Sequence, residues 1–215
     1  MSEQIYITRF CKIRNNNIFL NGKSVFADTD QYNPVNEFLK SGYRHFNIQY
    51  PKFFKMDALC KLGFLTAELL LQENTHIKAI APQQVGVVLS NASSSLNTDL
   101  AYYDTIKDSE NYFPSPAVFV YTLPNIIIGE ICIRHKFYGE NVFFVSEHFD
   151  PELLFYQVNN VFAYSNAQCM ITGWVELINN TYDSFLCIVE RKNIDDAAKK
   201  NDIFGIQNLT NIYTK

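Results

Sequence analysis

The stretch QVGVVLSNASSSLNTDLAYYDTIKD (84–108) decides the fold class. It begins as a mostly apolar strand, passes through small polar residues, and continues as a short helix that Asn97 or Thr98 is expected to cap. The serine run at 93–95 suggests either a phosphate-binding turn or a strand-to-helix turn, and the lack of a GxxxxGK pattern favours the second. A strand that leads directly into a helix indicates a sheet covered by helices.

The same alternation continues on both sides of this stretch. Upstream, residues 5–13 alternate as a strand, Asn21-Gly22 indicates a hairpin turn, and 56–74 carries leucines at helical spacing. Downstream, the sequence predicts a helical region interrupted by Pro124, then a strand, a helix and a strand hairpin, at 117–137, 141–146, 150–166, 169–178 and 182–191.

The predicted element order is β-α-β-α-β-α-β-β, which indicates an α/β fold with a mixed five-stranded sheet covered by helices. The apolar strands at 84–90 and 141–145 are expected to be buried on both faces. No linker, repeat or low-complexity run interrupts the pattern, so a single domain over residues 1–215 is expected.

Composition excludes several classes of function. The chain of 215 residues is 47% apolar and 19% charged, as in globular proteins, and its net charge of −4 does not favour nucleic acid as a partner. No apolar run approaches the length of a membrane span, and no N-terminal signal is evident, so a cytoplasmic location is expected. The 13 Tyr and 18 Phe predict large buried or interfacial areas.

Five cysteines and four histidines are scattered without metal-binding spacing. The cysteines form no CxxC pair and are expected to be free thiols in a reducing compartment. Neither a metal site nor a cofactor is predicted.

Two segments, 85–106 and 114–141, resemble the N-terminal half of a β-ketoacyl-acyl carrier protein synthase, a member of the thiolase-like superfamily. The pattern P-x-x-F-x5-N-x3-G-x3-I-R-x4-G is matched by Pro116, Phe119, Asn125, Gly129, Ile133, Arg134 and Gly139. The helix at 55–71 is also similar to a conserved helix of that family, and the resemblance extends over about residues 50–178. It implies half of a thiolase-like fold, since that fold is similar to two such copies packed together.

The resemblance also locates the position at which that family carries its nucleophilic Cys. In VSEHFDPELLFY (145–156), that position is His148, just before a helix that Asp150 and Pro151 are expected to start. An imidazole cannot replace a thiolate as a stable acyl carrier, and Asp150 opposes a neighbouring anion. The family's second-half histidines have no counterpart here. His148 is therefore a polar residue filling a vacated site, a hydrolytic or general-base residue, or an interface contact.

Three functions follow from this resemblance. The first is a non-catalytic subunit, similar to a chain length factor, in carrier-protein-dependent fatty acid, polyketide or aryl polyene synthesis. The second is an acyl-carrier-protein thioesterase or acyltransferase that uses His148, and the third is a binding module for an acyl chain or a carrier protein. Expected partners are a second copy or a full-length ketosynthase, which would cover an exposed apolar face, and an acyl carrier protein.

Four residues are candidates for acyl or partner binding: Tyr102, Phe119, Asn125 and Arg134. For Tyr102, with Tyr103, a helix face buried at an interface is an equal alternative to an acyl tunnel. Core or dimer-interface positions are expected for the aromatic residues Phe119, Tyr121, Phe137 and Tyr138. Arg134, His135 and Lys136 form a basic cluster near the family's dimer interface, or a solvated face. A solvated helix is expected around Asp195, Asp196, Lys199 and Lys200.

Overall fold

A computed structural model describes residues 4–28, 33–72, 74–191 and 203–215. The strands in these ranges are β1 (Tyr6–Arg14), β2 (Asn17–Leu20), β3 (Lys23–Ala27), β4 (Val85–Asn91), β5 (Asn141–Val145), β6 (Cys169–Ile178) and β7 (Thr181–Glu190). The helices are α1 (Val35–His45), α2 (Ala58–Leu71), α3 (Thr75–Ala79), α4 (Leu96–Asp104), α5 (Pro116–Phe119), α6 (Ile126–His135), α7 (Pro151–Tyr164) and α8 (Ile206–Thr214). The predicted solvated helix at Asp195, Asp196, Lys199 and Lys200 lies outside the described residues.

The strands form one mixed sheet in the order β3-β2-β1-β7-β6-β4-β5. Strand β4 is parallel to β5 and β6, whereas β7 is antiparallel to β6 and β1. The mixed sheet is confirmed, but the predicted count of five strands is wrong, because β2 and β3 extend the sheet beyond β1. Asn21 and Gly22 form the predicted turn between them, with φ of 49° and 78°.

The predicted hairpin near the end of the chain is also confirmed. Ile178 pairs with Thr181, so the turn between β6 and β7 consists of Asn179 and Asn180. Strand β4 is buried at every residue, as predicted. Strand β5 lies at the edge of the sheet, with Asn141 and Val145 exposed, so the prediction that it is buried on both faces is wrong. Its apolar sequence does not reveal that it has a neighbouring strand on one side only.

Helices α1, α2 and α6 cover one face of the sheet. Helix α2 is buried along almost its whole length because the sheet, α1 and α6 surround it. Apart from Lys61, Thr66 and Glu68, its residues are apolar or glycine, which is typical of a helix inside a core. Asp57 caps its start by accepting a hydrogen bond from the Cys60 N–H at 2.8 Å.

Helices α7 and α8 cover the opposite face. Helix α7 buries Leu154, Val158 and Phe162, which are spaced four residues apart and face the sheet. From α8, Tyr213 stacks on Phe149 with 3.9 Å between ring centroids, and Leu209 is buried. No helix in the described ranges combines the length and apolarity needed to cross a bilayer.

The parallel strands place three loops at one edge of the sheet. Strands β4, β5 and β6 run in the same direction and end at Asn91, Val145 and Ile178. Ligand sites of open α/β sheets lie outside the carboxyl ends of such strands. A functional site is therefore expected at the carboxyl ends of β4, β5 and β6.

Candidate functional site

The loops after β4 and β5 are joined at the carboxyl edge. The Ser146 N–H donates to the Asn91 carbonyl at 2.9 Å. The Asn91 side chain in turn accepts from the Ser94 N–H at 3.0 Å and donates to the Ser94 carbonyl at 2.8 Å. Ser94 has a positive φ of 50°, and this local bonding is what holds it there. The two loops therefore form one fixed surface.

A carboxylate from β6 occupies the serine-rich turn. The Glu176 carboxylate accepts hydrogen bonds from the Ala92 N–H at 2.6 Å and the Ser93 N–H at 3.0 Å. These donors are thus already engaged within the chain, which supports the strand-to-helix turn over a phosphate-binding turn. Sequence reasoning missed Glu176, although a lone acidic residue in the apolar strand CMITGWVELI was the available indication.

Helix α4 begins two or three residues earlier than the predicted caps require. Ser95 lies at its N-cap position, so Asn97 and Thr98 are inside the helix and the capping prediction is wrong. Both side chains bond elsewhere: Asn97 accepts from the Asn179 N–H at 3.1 Å, and the Thr98 hydroxyl donates to Asp57. They tie α4 to the β6–β7 turn and to the start of α2.

His148 lies in the loop between β5 and α7 and is exposed. Its carbonyl accepts from the Ser146 hydroxyl at 3.0 Å, but in the described part of the chain its imidazole has no hydrogen-bond, ion-pair or ring partner. The helix start at Asp150 is confirmed, because the Asp150 carboxylate accepts from the Leu153 N–H at 2.9 Å and Pro151 is the first helical residue. The role of His148 stays a prediction.

All five cysteines lie outside this loop in the sequence and are free thiols: Cys11, Cys60, Cys132, Cys169 and Cys187. Burial raises the pKa of every one of these thiols. Cys60 lies in the first turn of α2, where a helix dipole would favour a thiolate, but burial and then the Asp57 carboxylate raise its pKa well above the usual value. No group of residues in the described ranges is placed to ligate a metal ion.

A cleft of about 510 Å³ opens between α4, α5 and the start of α2. Its apolar walls include Ala101, Val118, Tyr121 and Leu177, and the half-buried Asp57 contributes a carboxylate. Burial raises the pKa of Asp57, although the hydrogen bonds from Thr98 and Cys60 act in the opposite direction. The cleft can accept an apolar group with few polar contacts.

Two of the predicted binding residues meet beside this cleft. The rings of Tyr102 and Phe119 lie 5.2 Å apart between centroids, and Phe119 is 58% exposed. Asn125 is exposed at the start of α6, and its side chain caps nothing. The predicted core or interface positions of the neighbouring aromatics divide: Tyr121 and Phe137 are buried, whereas Phe119 and Tyr138 are exposed.

Arg134 takes part in a different arrangement. It pairs with Glu68 through two hydrogen bonds, Nε to Oε1 at 3.0 Å and Nη2 to Oε2 at 3.2 Å, and lies over the Tyr50 ring. His135 Nε2 lies 2.8 Å from Glu68 Oε1. The basic cluster is thus anchored to α2 rather than fully solvated, and only Lys136 is exposed. Arg134 as an acyl or partner contact stays a prediction.

An exposed apolar surface runs along α4, α5 and the segments that flank them. It consists of Leu96, Leu100, Tyr103, Tyr112, Phe113, Phe119, Val120 and Leu123. Most of these side chains are at least half exposed. Exposed apolar side chains concentrated on neighbouring elements mark interaction sites more often than scattered ones do, so this surface is a candidate interface.

Comparison with known proteins relates this geometry to solved structures. No protein-family model and no curated protein matches the sequence. The chain superimposes on the ishigamide ketosynthase/chain length factor with a TM-score of 0.61 and 14% identity, and on a structure of the ketosynthase ApeO with its chain length factor ApeC from Xenorhabdus doucetiae with 0.58 and 13%. This chain has the thiolase-like fold of ketosynthases and chain length factors.

A third similar structure is AntDE:AntF, a type II polyketide synthase acyl carrier protein in complex with its ketosynthase, with a TM-score of 0.56 and 13% identity. These matches cover 90%, 89% and 88% of this chain. The chain spans 63% of the ishigamide protein, 80% of the Xenorhabdus chain and 63% of the AntDE:AntF chain. The fold expected from the motif resemblance is thus confirmed.

Proposed function

We propose that this protein is a non-catalytic subunit of the chain-length-factor type. It would pair with a full-length ketosynthase in carrier-protein-dependent synthesis of a fatty acid, polyketide or aryl polyene. The acyl carrier protein would be a partner of the assembled pair. A cytoplasmic location and a single domain belong to the same proposal.

The loop before α7 carries the proposal. The sequence resemblance implies a cysteine at the position of His148, and none of the five cysteines is close to His148 in the sequence. Acyl transfer through sulfur needs an accessible thiolate, and burial raises the pKa of each thiol of this chain. Condensation by this chain alone therefore lacks a nucleophile.

The exposed apolar surface supports pairing. Phe119, Phe113 and Leu123 would remain in water on an isolated chain, and covering them is favourable by about 25 cal/mol for each Å² of apolar surface. The cleft opens beside this surface, since Val118 lines it and adjoins Phe119. A partner that covers the surface would therefore also shape an apolar cavity, which suits control of chain length.

Co-expression with a full-length ketosynthase tests the pairing. We expect the two chains to elute together in size-exclusion chromatography with light scattering, and Phe119→Glu to abolish the complex because it places a charge in the interface. Tyr164→Glu is the matched control, since Tyr164 is 89% exposed at the end of α7 and away from the apolar surface in the chain. A monodisperse monomer with and without the synthase would contradict the proposal.

The enzymatic alternative is tested separately with acyl-carrier thioesters. The imidazole of His148 has no orienting partner in the described part of the chain, which disfavours a general base. We expect no turnover by the wild type or by His148→Ala. Hydrolysis that disappears in His148→Ala would replace the non-catalytic proposal with a thioesterase.

A further inference from the structure

A second groove, separate from the cleft, lies on the sheet face that α8 covers only in part. Its volume is about 700 Å³, and it is bounded by β1, β2 and the last turn of α8. We call it the hairpin groove, and define it by Phe10, Lys12, Arg14, Phe19 and Ile212. It shares no lining residue with the cleft beside α4. Its size lies within the range of small-molecule sites.

Lys12 is the central cation of the hairpin groove. It is only 4% exposed, and its Nζ donates to the Ile212 carbonyl at 3.0 Å. The same Nζ lies 5.9 Å from the Phe10 ring and 6.0 Å from the Phe19 ring. No carboxylate of the described residues lies within ion-pair distance of it. A buried ammonium without an anionic partner is unusual, because desolvation of a charge is costly.

Arg14 adds a second positive charge that is only partly compensated. Its Nε lies 3.0 Å from Asp183 Oδ1, and its guanidinium lies over the Tyr213 ring at 4.8 Å. Its Nη2 is buried without a hydrogen-bond partner among the described residues. Asp183 also accepts from the Tyr213 hydroxyl at 2.6 Å. Arg14 is thus paired with Asp183, whereas Lys12 has no ion-pair partner among the described residues, so these three side chains together carry one net positive charge beside the aromatic walls.

We propose that the hairpin groove binds an organic anion. Lys12, with Arg14 behind it, attracts a carboxylate or phosphate head, and Phe10 and Phe19 pack against an aromatic or aliphatic body. Charge-assisted hydrogen bonds to the head of the ligand give selectivity for an anion, and packing of its apolar body against the aromatic walls adds affinity. Both contributions are needed, because the head alone would leave the two phenyl rings in water.

Binding in the groove is coupled to α8. Lys12 contacts the last turn of α8 through the Ile212 carbonyl, and Arg14 stacks on Tyr213 of the same helix. A ligand that neutralises the two cations therefore stabilises the surface on which α8 packs. Amide hydrogen exchange of α8 is expected to slow when the ligand is added, which a surface-bound ion would not cause.

Isothermal titration of the full chain tests the proposal with five probes: 3-phenylpropanoate, decanoate, phenyl phosphate, inorganic phosphate and neutral 3-phenylpropanamide. We expect at least one of the first three to bind with one-to-one stoichiometry and to slow exchange in α8. Inorganic phosphate and the amide should bind at least tenfold more weakly than that ligand. The probe that binds best identifies the head and the body.

Substitutions then assign the site. Lys12→Met keeps most of the apolar stem but removes the charge, so it should weaken binding at least tenfold. Lys12→Arg keeps the charge and should retain most of the binding affinity. Lys23→Met, on the adjacent strand β3 and outside the groove, is the control that removes the same charge. If Lys12→Met does not fold, Phe19→Ala, which leaves the hydrogen bond from Lys12 to the Ile212 carbonyl in place, should still weaken binding several-fold. Failure of all three amphipathic anions to bind, or equal affinity in the wild type, Lys12→Met and Phe19→Ala, would overturn the proposal.

Discussion

At the scale of single residues, the chain is organised by buried charges whose partners are distant in sequence. Glu68, on the buried helix α2, pairs with Arg134 and His135 from α6. Burial by itself raises the pKa of Glu68, but the hydrogen bonds and charges of His135 and Arg134 outweigh it, so the pKa lies below the usual value. The sequence showed the basic cluster, but it could not show its carboxylate, which lies 66 positions away.

Glu68→Gln tests this pair. Removing the carboxylate leaves Arg134 without its partner, so we expect a loss of about 2 kcal/mol in the free energy of unfolding at pH 7. Because the folded-state pKa of Glu68 is lowered, its stabilisation is fully present above the unfolded value of about 4.3 and is lost as pH falls through the folded value. Urea denaturation between pH 7 and pH 3 should show the two proteins converging.

The control for this comparison is Glu37→Gln. Glu37 pairs with Lys40 on the surface of α1, where water screens the charges. We expect little change in stability from it at any pH in the series. A difference between wild type and Glu68→Gln that stays constant down to pH 3 would contradict the ion-pair account.

At the scale of elements, local patterns predicted most of the fold. The helix at α2, the start of α7 and the β6–β7 hairpin follow from periodicity, capping residues and turn residues. The errors arose where the position of an element depends on the strands or helices packed beside it. Strand β5 reads as buried but lies at an edge, β2 and β3 extend the sheet, and α8 is a short helix stabilised mainly by packing on α7 and the sheet.

Glycines in two helices allow a matched test of packing. A Cβ at Gly63 of α2 would lie 2.5 Å from Ile127 Cγ2 and 3.3 Å from Val175 Cγ1, whereas one at Gly129 of α6 would meet nothing within 4 Å. We expect Gly63→Ala to destabilise the fold by about 1–3 kcal/mol through overpacking. Gly129→Ala should stabilise it by about 0.5–1 kcal/mol, since alanine has less backbone entropy to lose in a helix.

Chemical denaturation of the two variants side by side measures these opposite changes in the free energy of unfolding.

The Gly129 variant also tests the interface, because Gly129 matches a glycine of the synthase pattern although packing within this chain does not require it. If α6 approaches a ketosynthase partner at Gly129, the more stable Gly129→Ala chain should bind that partner less well. Destabilisation by Gly129→Ala would contradict the open space beside α6.

At the scale of the whole molecule, the chain has the fold of ketosynthases, and the proposed function separates that fold from their usual chemistry. The sequence allowed the fold, and the loop between β5 and α7 in which His148 lies, to be predicted, because both depend on local motifs. It did not allow the cleft to be predicted, because Asp57, Thr98 and Val118 meet there from three separate segments. The hairpin groove likewise joins the two ends of the chain, and no local pattern connects Lys12 with Ile212.

The thiols give a test that involves the whole molecule. Because burial raises the pKa of Cys11, Cys60, Cys132, Cys169 and Cys187, we expect slow reaction of the native protein with iodoacetamide at pH 7. Cys132, which is only partly buried and whose pKa is raised to about 11, should react first and still more slowly than free cysteine. Mass spectrometry should find at most this one modification in the native protein and five modifications after unfolding in urea. Rapid stoichiometric labelling of any single cysteine in the native protein would reveal an activated nucleophile and overturn the non-catalytic proposal.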